Sequence, residues 1–131
     1  MILRLIFTFS VLLLSSCSNI INESDLEPKR GLYYNTSNGK PYSGKVYRLY
    51  SSGSKMREGN FDLGAIDGSY TYYDNEGSII SPVKENELDF KDGKKYFPNS
   101  EKEFWGLAYG QYQHGETSFE VFYENGMVVS D

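Results

Sequence analysis

An all-β fold built from short antiparallel hairpins is what this sequence predicts, on three observations: closely spaced turn dipeptides, aromatic runs between them, and self-similarity at fixed offsets. The turn signals are Asn38-Gly39, Ser52-Gly53, Leu63-Gly64, Glu76-Gly77, Asp92-Gly93, His114-Gly115 and Asn125-Gly126. Between them, Val46-Tyr47-Arg48-Leu49-Tyr50, Tyr70-Thr71-Tyr72-Tyr73 and Phe119-Glu120-Val121-Phe122-Tyr123 carry the β-branched and aromatic enrichment of strands. Asp92-Gly93 and Asn125-Gly126 are the strongest hairpin pairs, since a tight turn needs positive φ and both residue types tolerate it.

Two offsets describe the self-similarity. Gly44, Val46 and Gly53 return as Gly68, Tyr70 and Gly77, 24 residues later, and Gly59, Phe61, Gly64, Tyr70 and Tyr72 answer to Gly110, Tyr112, Gly115, Val121 and Tyr123, 51 residues later. Periods of this size signal repeat architecture. Residues 80–105 fall outside both echoes and read as an irregular insertion with its own hairpin, Leu88-Asp89-Phe90 with Lys95-Tyr96-Phe97, around Asp92-Gly93. Helix is scarce: Ser100 with Glu103 has capping-box spacing, but Gly106 follows so closely that only a turn or two fits.

The run Gly59-Asn60-Phe61, then Gly64, then Asp67 to Gly77 resembles a MORN-type repeat, in the variant of bacterial exported proteins labelled YwqK-family antitoxins. Asn38 to Tyr47, with Leu49-Tyr50 and Gly53, resembles the preceding unit, and residues 106–129 follow the pattern more loosely, with Ser118-Phe119 in place of Asp67-Gly68. The resemblance implies that each repeat is an antiparallel hairpin and that residues 31–131 form one elongated, twisted single sheet. An isolated hairpin is marginal, so such units gain stability by packing aromatic faces on neighbours.

The front of the chain has the grammar of an exported precursor. Arg4 precedes ten uncharged, mostly apolar residues, Leu5 to Leu14, which lead into Leu14-Ser15-Ser16-Cys17. A membrane span needs roughly 20 apolar residues, so cleavage is favoured over anchoring by a helix. The ending resembles a bacterial lipobox, which implies a signal peptide over residues 1–16 and acylation, palmitate included, of Cys17 as the mature N-terminus. Two or more acyl chains hold a protein stably at a bilayer. Ser18 after Cys17, by the same resemblance, implies the outer membrane of the cell envelope. Polar residues with Pro28 then read as a flexible tether over residues 17–30, with a reach of about 20 Å.

Cys17 is the only cysteine, so no disulfide within the chain is available and stability falls to packing. Losing residues 1–16 removes Arg4 and leaves twelve basic against eighteen acidic residues, a net charge of −6. An acidic surface without a basic cluster disfavours nucleic acid and anionic lipid as partners.

Candidates for chemistry are few. His114 is the lone histidine and sits in a turn; with one cysteine, the usual nitrogen and sulfur ligands of zinc cannot be assembled, so no metal and no cofactor are expected. Asp74-Asn75-Glu76-Gly77 lacks the ligand spacing of a calcium loop and reads as a hairpin turn. Carboxylates are plentiful, but nothing in the sequence pairs two of them across a cleft as glycoside hydrolysis requires. Catalysis is therefore not expected. Twelve tyrosines, eight phenylalanines and Trp105 leave binding as the sharper reading, since most rings fill the core but some face solvent. Trp105, Tyr47, Tyr72 and Tyr112 are the candidate binding residues. A non-enzymatic scaffold with a protein partner is expected, ahead of glycan binding or cleavage and of an antitoxin-like role.

Overall fold

The computed structural model describes residues 19–129. Its strands in chain order are β1 (Ile20–Asn22), β2 (Leu26–Lys29), β3 (Leu32–Asn35), β4 (Gly44–Leu49), β5 (Lys55–Asp62), β6 (Ala65–Tyr73), β7 (Ile79–Ile80), β8 (Val83–Lys84), β9 (Asp89–Lys91), β10 (Lys94–Tyr96), β11 (Gly106–Gln111), β12 (Thr117–Glu124) and β13 (Met127–Val128). Single 3-10 turns at Glu23–Asp25 and Glu85–Glu87 are the only helical segments among the described residues. The fold is all-β and mostly antiparallel, as the turn spacing predicts; only β1 with β4 and β8 with β11 run parallel.

The single sheet is not what forms. A five-stranded sheet, β1-β4-β5-β6-β7, and a four-stranded one, β13-β12-β11-β8, are accompanied by two separate hairpins, β2-β3 and β9-β10. Each hairpin forms a sheet of its own, and apolar residues in or beside it enter a core. Leu26 and Tyr33 pack with Val46, Phe61 and Tyr42 in the first core, and Leu88 packs with Phe104, Ala108 and Tyr123 in the second.

These two cores are one core built twice. Leu26, Tyr42, Val46 and Phe61 match Leu88, Phe104, Ala108 and Tyr123 at a constant separation of 62 residues. The backbone agrees: Tyr33 N–H donates to Gly64 O at 2.8 Å and Lys95 N–H to Gly126 O at 2.8 Å, while Gly64 N–H reaches Tyr42 O at 2.8 Å and Gly126 N–H reaches Phe104 O at 2.9 Å. Even the bulges coincide, at Arg48/Leu49 in one copy and Gly110/Gln111 in the other. The offset of 24 survives as the shared turn of successive hairpins, in which Tyr50 N–H meets Ser54 O and Asp74 N–H meets Ser78 O, both at about 2.8–2.9 Å.

The stretch 80–105 is therefore no insertion but the opening of the second copy, supplying β8, β9, β10, Leu88 and Phe104. Its expected hairpin forms, with Lys95 opposite Phe90. No helix starts at Ser100, whose hydroxyl instead accepts from Lys102 N–H at 3.0 Å. The expected tether is corrected too. Its described part begins the first copy: β1 pairs with β4, Leu26 is buried, and Glu23 is held by Arg57. Polar composition misleads here because Glu23 is engaged in an ion pair while Ile21 and Leu26 face the core. The expected signal peptide and Cys17 lie outside the described residues.

Four hairpin turns have positive φ at both central residues: Arg30-Gly31, Leu63-Gly64, Asp92-Gly93 and Asn125-Gly126. At Gly126 a Cβ would fall 2.5 Å from the Lys95 carbonyl oxygen, and at Gly64 2.9 Å from that of Tyr33, so both need glycine for space as well as for φ. Leu63 holds φ 48° where its counterpart Asn125 holds 49°, and its side chain is 68% exposed. Leu63→Asn is expected to raise stability by about 0.5–1 kcal/mol, read as a higher urea midpoint. A lower midpoint would show that the leucine makes packing contacts worth more than the strain.

Candidate functional site

The four aromatic candidates do not converge. Tyr47 lies opposite Glu58 on one face of the first sheet, and Tyr72 lies opposite Arg57 on the other. Trp105 is half-buried and meets Tyr50 edge-on, with ring centroids 5.1 Å apart, at the seam between the two copies. Tyr112 alone is well exposed, at 56%, and stacks on His114 at 5.4 Å.

The seam uses residues that sequence reasoning passed over. Arg48 and Arg57 of the first copy lie 3.9 and 4.8 Å from the centre of the Phe122 ring of the second, and Glu124 accepts from Ser51 N–H at 2.6 Å and from its hydroxyl. Asp74 reaches Lys102 at 3.0 Å while also accepting from the N–H groups of Glu76 at 2.9 Å and Ser78 at 3.0 Å. Burial would raise the Asp74 carboxyl, but these donors outweigh it and hold the carboxyl below the ordinary aspartate range. The sequence Asp74 to Gly77 is thus a turn, as expected, and a clamp between copies as well.

In each copy a groove opens beside the 3-10 turn, and its chemistry differs between the two. In the first, Glu23 is bound by Arg57 at 2.5 Å and approached by Arg48 at 3.6 Å, with Arg57 lying 4.1 Å from the centre of the Tyr70 ring. Burial raises the Tyr70 hydroxyl to about 12, since desolvation exceeds the pull of Arg57. In the second, Gly110 replaces Arg48 and Phe119 replaces Arg57. Phe119 lies over Gly110 so closely that a Cβ there would overlap its ring, yet it remains 46% exposed. Lys84, Glu85, Asn86, Tyr109 and Tyr112 complete this groove of about 380 Å³. Glu85 has turned to Lys95 at 3.3 Å, and Tyr109, Tyr112 and Phe119 share the wall of this groove with Lys84, Asn86 and Gln111.

His114 lies 3.2 Å from Glu116, both largely exposed. Among the described residues no cluster of histidine, cysteine and carboxylates is placed to hold a metal ion. Aligning the chain at an offset of 62 would have brought Arg57 and Phe119 together and flagged the difference; the offsets of 24 and 51 conceal it. No family model, curated protein or solved structure matches this chain.

Proposed function

We propose that this is a lipid-anchored protein of the cell envelope, at the outer membrane, whose duplicated β-domain is a non-enzymatic protein-interaction module. One observation carries the interaction half: Tyr112 and Phe119 stand exposed, beside half-buried Tyr109, in the groove where the first copy places an ion-pair cluster facing Phe122. Exposed tyrosine and phenylalanine beside a polar rim suit a protein partner, because such rings contribute contact area with little conformational freedom to lose. The lipobox-like Leu14 to Cys17 supports the anchoring half, and the resemblance to MORN-type repeats supports a scaffold.

The test has two arms in membranes of the producing cell. Labelled palmitate is expected in the wild type and absent from Cys17→Ala. A photo-crosslinking residue at Tyr112 is expected to give a discrete protein adduct, while the same residue at Phe90, which is 67% exposed but outside the groove, gives none. Label retained by Cys17→Ala would overturn the anchor. Equal adducts at both positions, or none, would overturn the interaction surface.

A further inference from the structure

One end of the first sheet carries an apolar side chain that its own backbone does not favour. Asn19, the first described residue, lies beside Gly44 at the start of β4, and its carbonyl accepts from Lys45 N–H at 2.8 Å. Two residues link it to Cys17, and an extended chain covers at most about 7 Å in that length. Acyl chains on Cys17 would thus hold the start of β4 against the bilayer. At the same end, two strands across, stands the Leu63-Gly64 turn, about 10 Å from β1 at the usual strand spacing. Leu63 N–H donates to Ser43 Oγ, Gly64 N–H to Tyr42 O and Tyr33 N–H to Gly64 O, each at 2.8 Å, so the turn is fixed. The other three turns with two positive φ values place Arg30, Asp92 and Asn125 first; only this one places an aliphatic residue there, 68% exposed. Backbone strain kept at an exposed position points to a use outside the fold. Ile20, 61% exposed and paired with Lys45, is a second aliphatic at this end.

We propose that Leu63 and Ile20 seat the protein in the interfacial layer of a zwitterionic phospholipid bilayer, beside acylated Cys17. This rests on the anchoring reading above and deepens it by naming the face that meets lipid. Aliphatic side chains buried at the acyl boundary add to the hold of the anchor and fix the orientation of the domain on it. Lys45, across from Ile20, lays its stem along the apolar layer and keeps its ammonium among the phosphates. Asp62, exposed at the same end, has the opposite charge, so no anionic lipid is required. The far ends of β4 and β5 hold the seam, where Arg48 and Arg57 face Phe122, Tyr50 meets Trp105 and Ser51 meets Glu124. The second copy therefore joins at the end away from lipid. Within it, Trp105 precedes β11 at the seam and Tyr112 follows β11 at the opposite end, so the groove of Tyr112 and Phe119 stands clear of the bilayer.

The probe is a phosphatidylcholine vesicle, with and without spin-labelled lipid, carrying the full-length acylated protein. Cys17 is the only cysteine and acylation consumes its thiol, so Leu63→Cys and Tyr112→Cys each offer one site for an environment-sensitive fluorophore. Blue-shifted emission is expected at position 63, quenched by the spin label about fivefold more strongly than at position 112. Leu63→Asn, the more stable protein on the strain argument above, should weaken the quenching of a fluorophore at Ile20→Cys, a loss that unfolding does not explain. Water-like emission at position 63, or equal quenching at 63 and 112, overturns the proposal. So does a blue shift at 63 that the spin label leaves unquenched, which would mean that a second copy of the chain covers the turn. The mass of the same preparation separates the two readings. Absence of acyl chains at Cys17 removes the anchor and the seat with it, whereas acylated protein with water-like emission at 63 leaves the anchor standing and removes only the seat.

Discussion

Arg57→Ala is expected to lose about 3–5 kcal/mol of folding stability, although the residue lies on a strand among polar neighbours. Its side chain is only 11% exposed, and its partner Glu23 only 14%. Removing the guanidinium takes the closer cation from a carboxylate that is only 14% exposed, leaving it Arg48 at 3.6 Å, and strips a cation from the faces of Tyr70 and Phe122 at once. Glu23→Leu combined with Arg57→Met should recover most of the loss, since an apolar pair of similar volume avoids the desolvation cost of two charges. Phe119→Ala probes the corresponding position of the second copy, where the ring is 46% exposed, and should cost about 1 kcal/mol or less. Urea midpoints at constant slope report all three. An Arg57→Ala loss no larger than that of Phe119→Ala would mean that the cluster is solvated and does not join the copies.

That contrast between Arg57 and Phe119 also shows what the sequence makes legible. Glycines, turn dipeptides and aromatic runs predict hairpins because backbone geometry demands particular residues locally, and Asp92-Gly93 and Asn125-Gly126 adopt the positive φ expected of them. The duplication is harder to see. Core positions tolerate exchange among apolar residues, so Tyr42 pairs with Phe104 and Val46 with Ala108, while positions at the seam are free to become opposites: Ser43 against Trp105, Arg48 against Gly110, Asn60 against Phe122. A meander of similar hairpins also matches itself whenever it is shifted by a pair of strands, which is why offsets of 24 and 51 draw the eye first. The segment from Asn19 to Arg30 reads as solvated because its charges are counted without their partner, and the guanidinium that satisfies Glu23 lies 34 residues further on. Tyr47, Tyr72, Trp105 and Tyr112 are not separable in the sequence, since burial depends on which sheet covers which.

Phe104→Ala is expected to cost about 3–5 kcal/mol, and to unfold both copies together. The ring is fully buried, meeting Phe97 edge-on at 4.9 Å and Tyr123 at 5.6 Å, so truncation leaves a cavity among rings that cannot close over it. Phe104→Tyr should be mild by comparison, because Tyr42 in the first copy donates its hydroxyl to the Lys45 carbonyl at 2.8 Å and the backbone around Phe104 is built the same way. Each copy alone is of a size that buries too little to be robust, and the seam adds buried Tyr50 and Leu107, the latter on the same strand face as Phe122. Losing the second core therefore withdraws from the first the groups that face Arg48, Arg57, Ser51 and Asp74. Trp105 fluorescence, which reports the seam, and far-ultraviolet circular dichroism, which reports both sheets, are expected to give coincident transitions in wild type and variant. A Trp105 transition that moves to lower urea while half of the dichroism signal stays in place would show that the copies fold independently, and that the contacts between them orient the units without stabilising either.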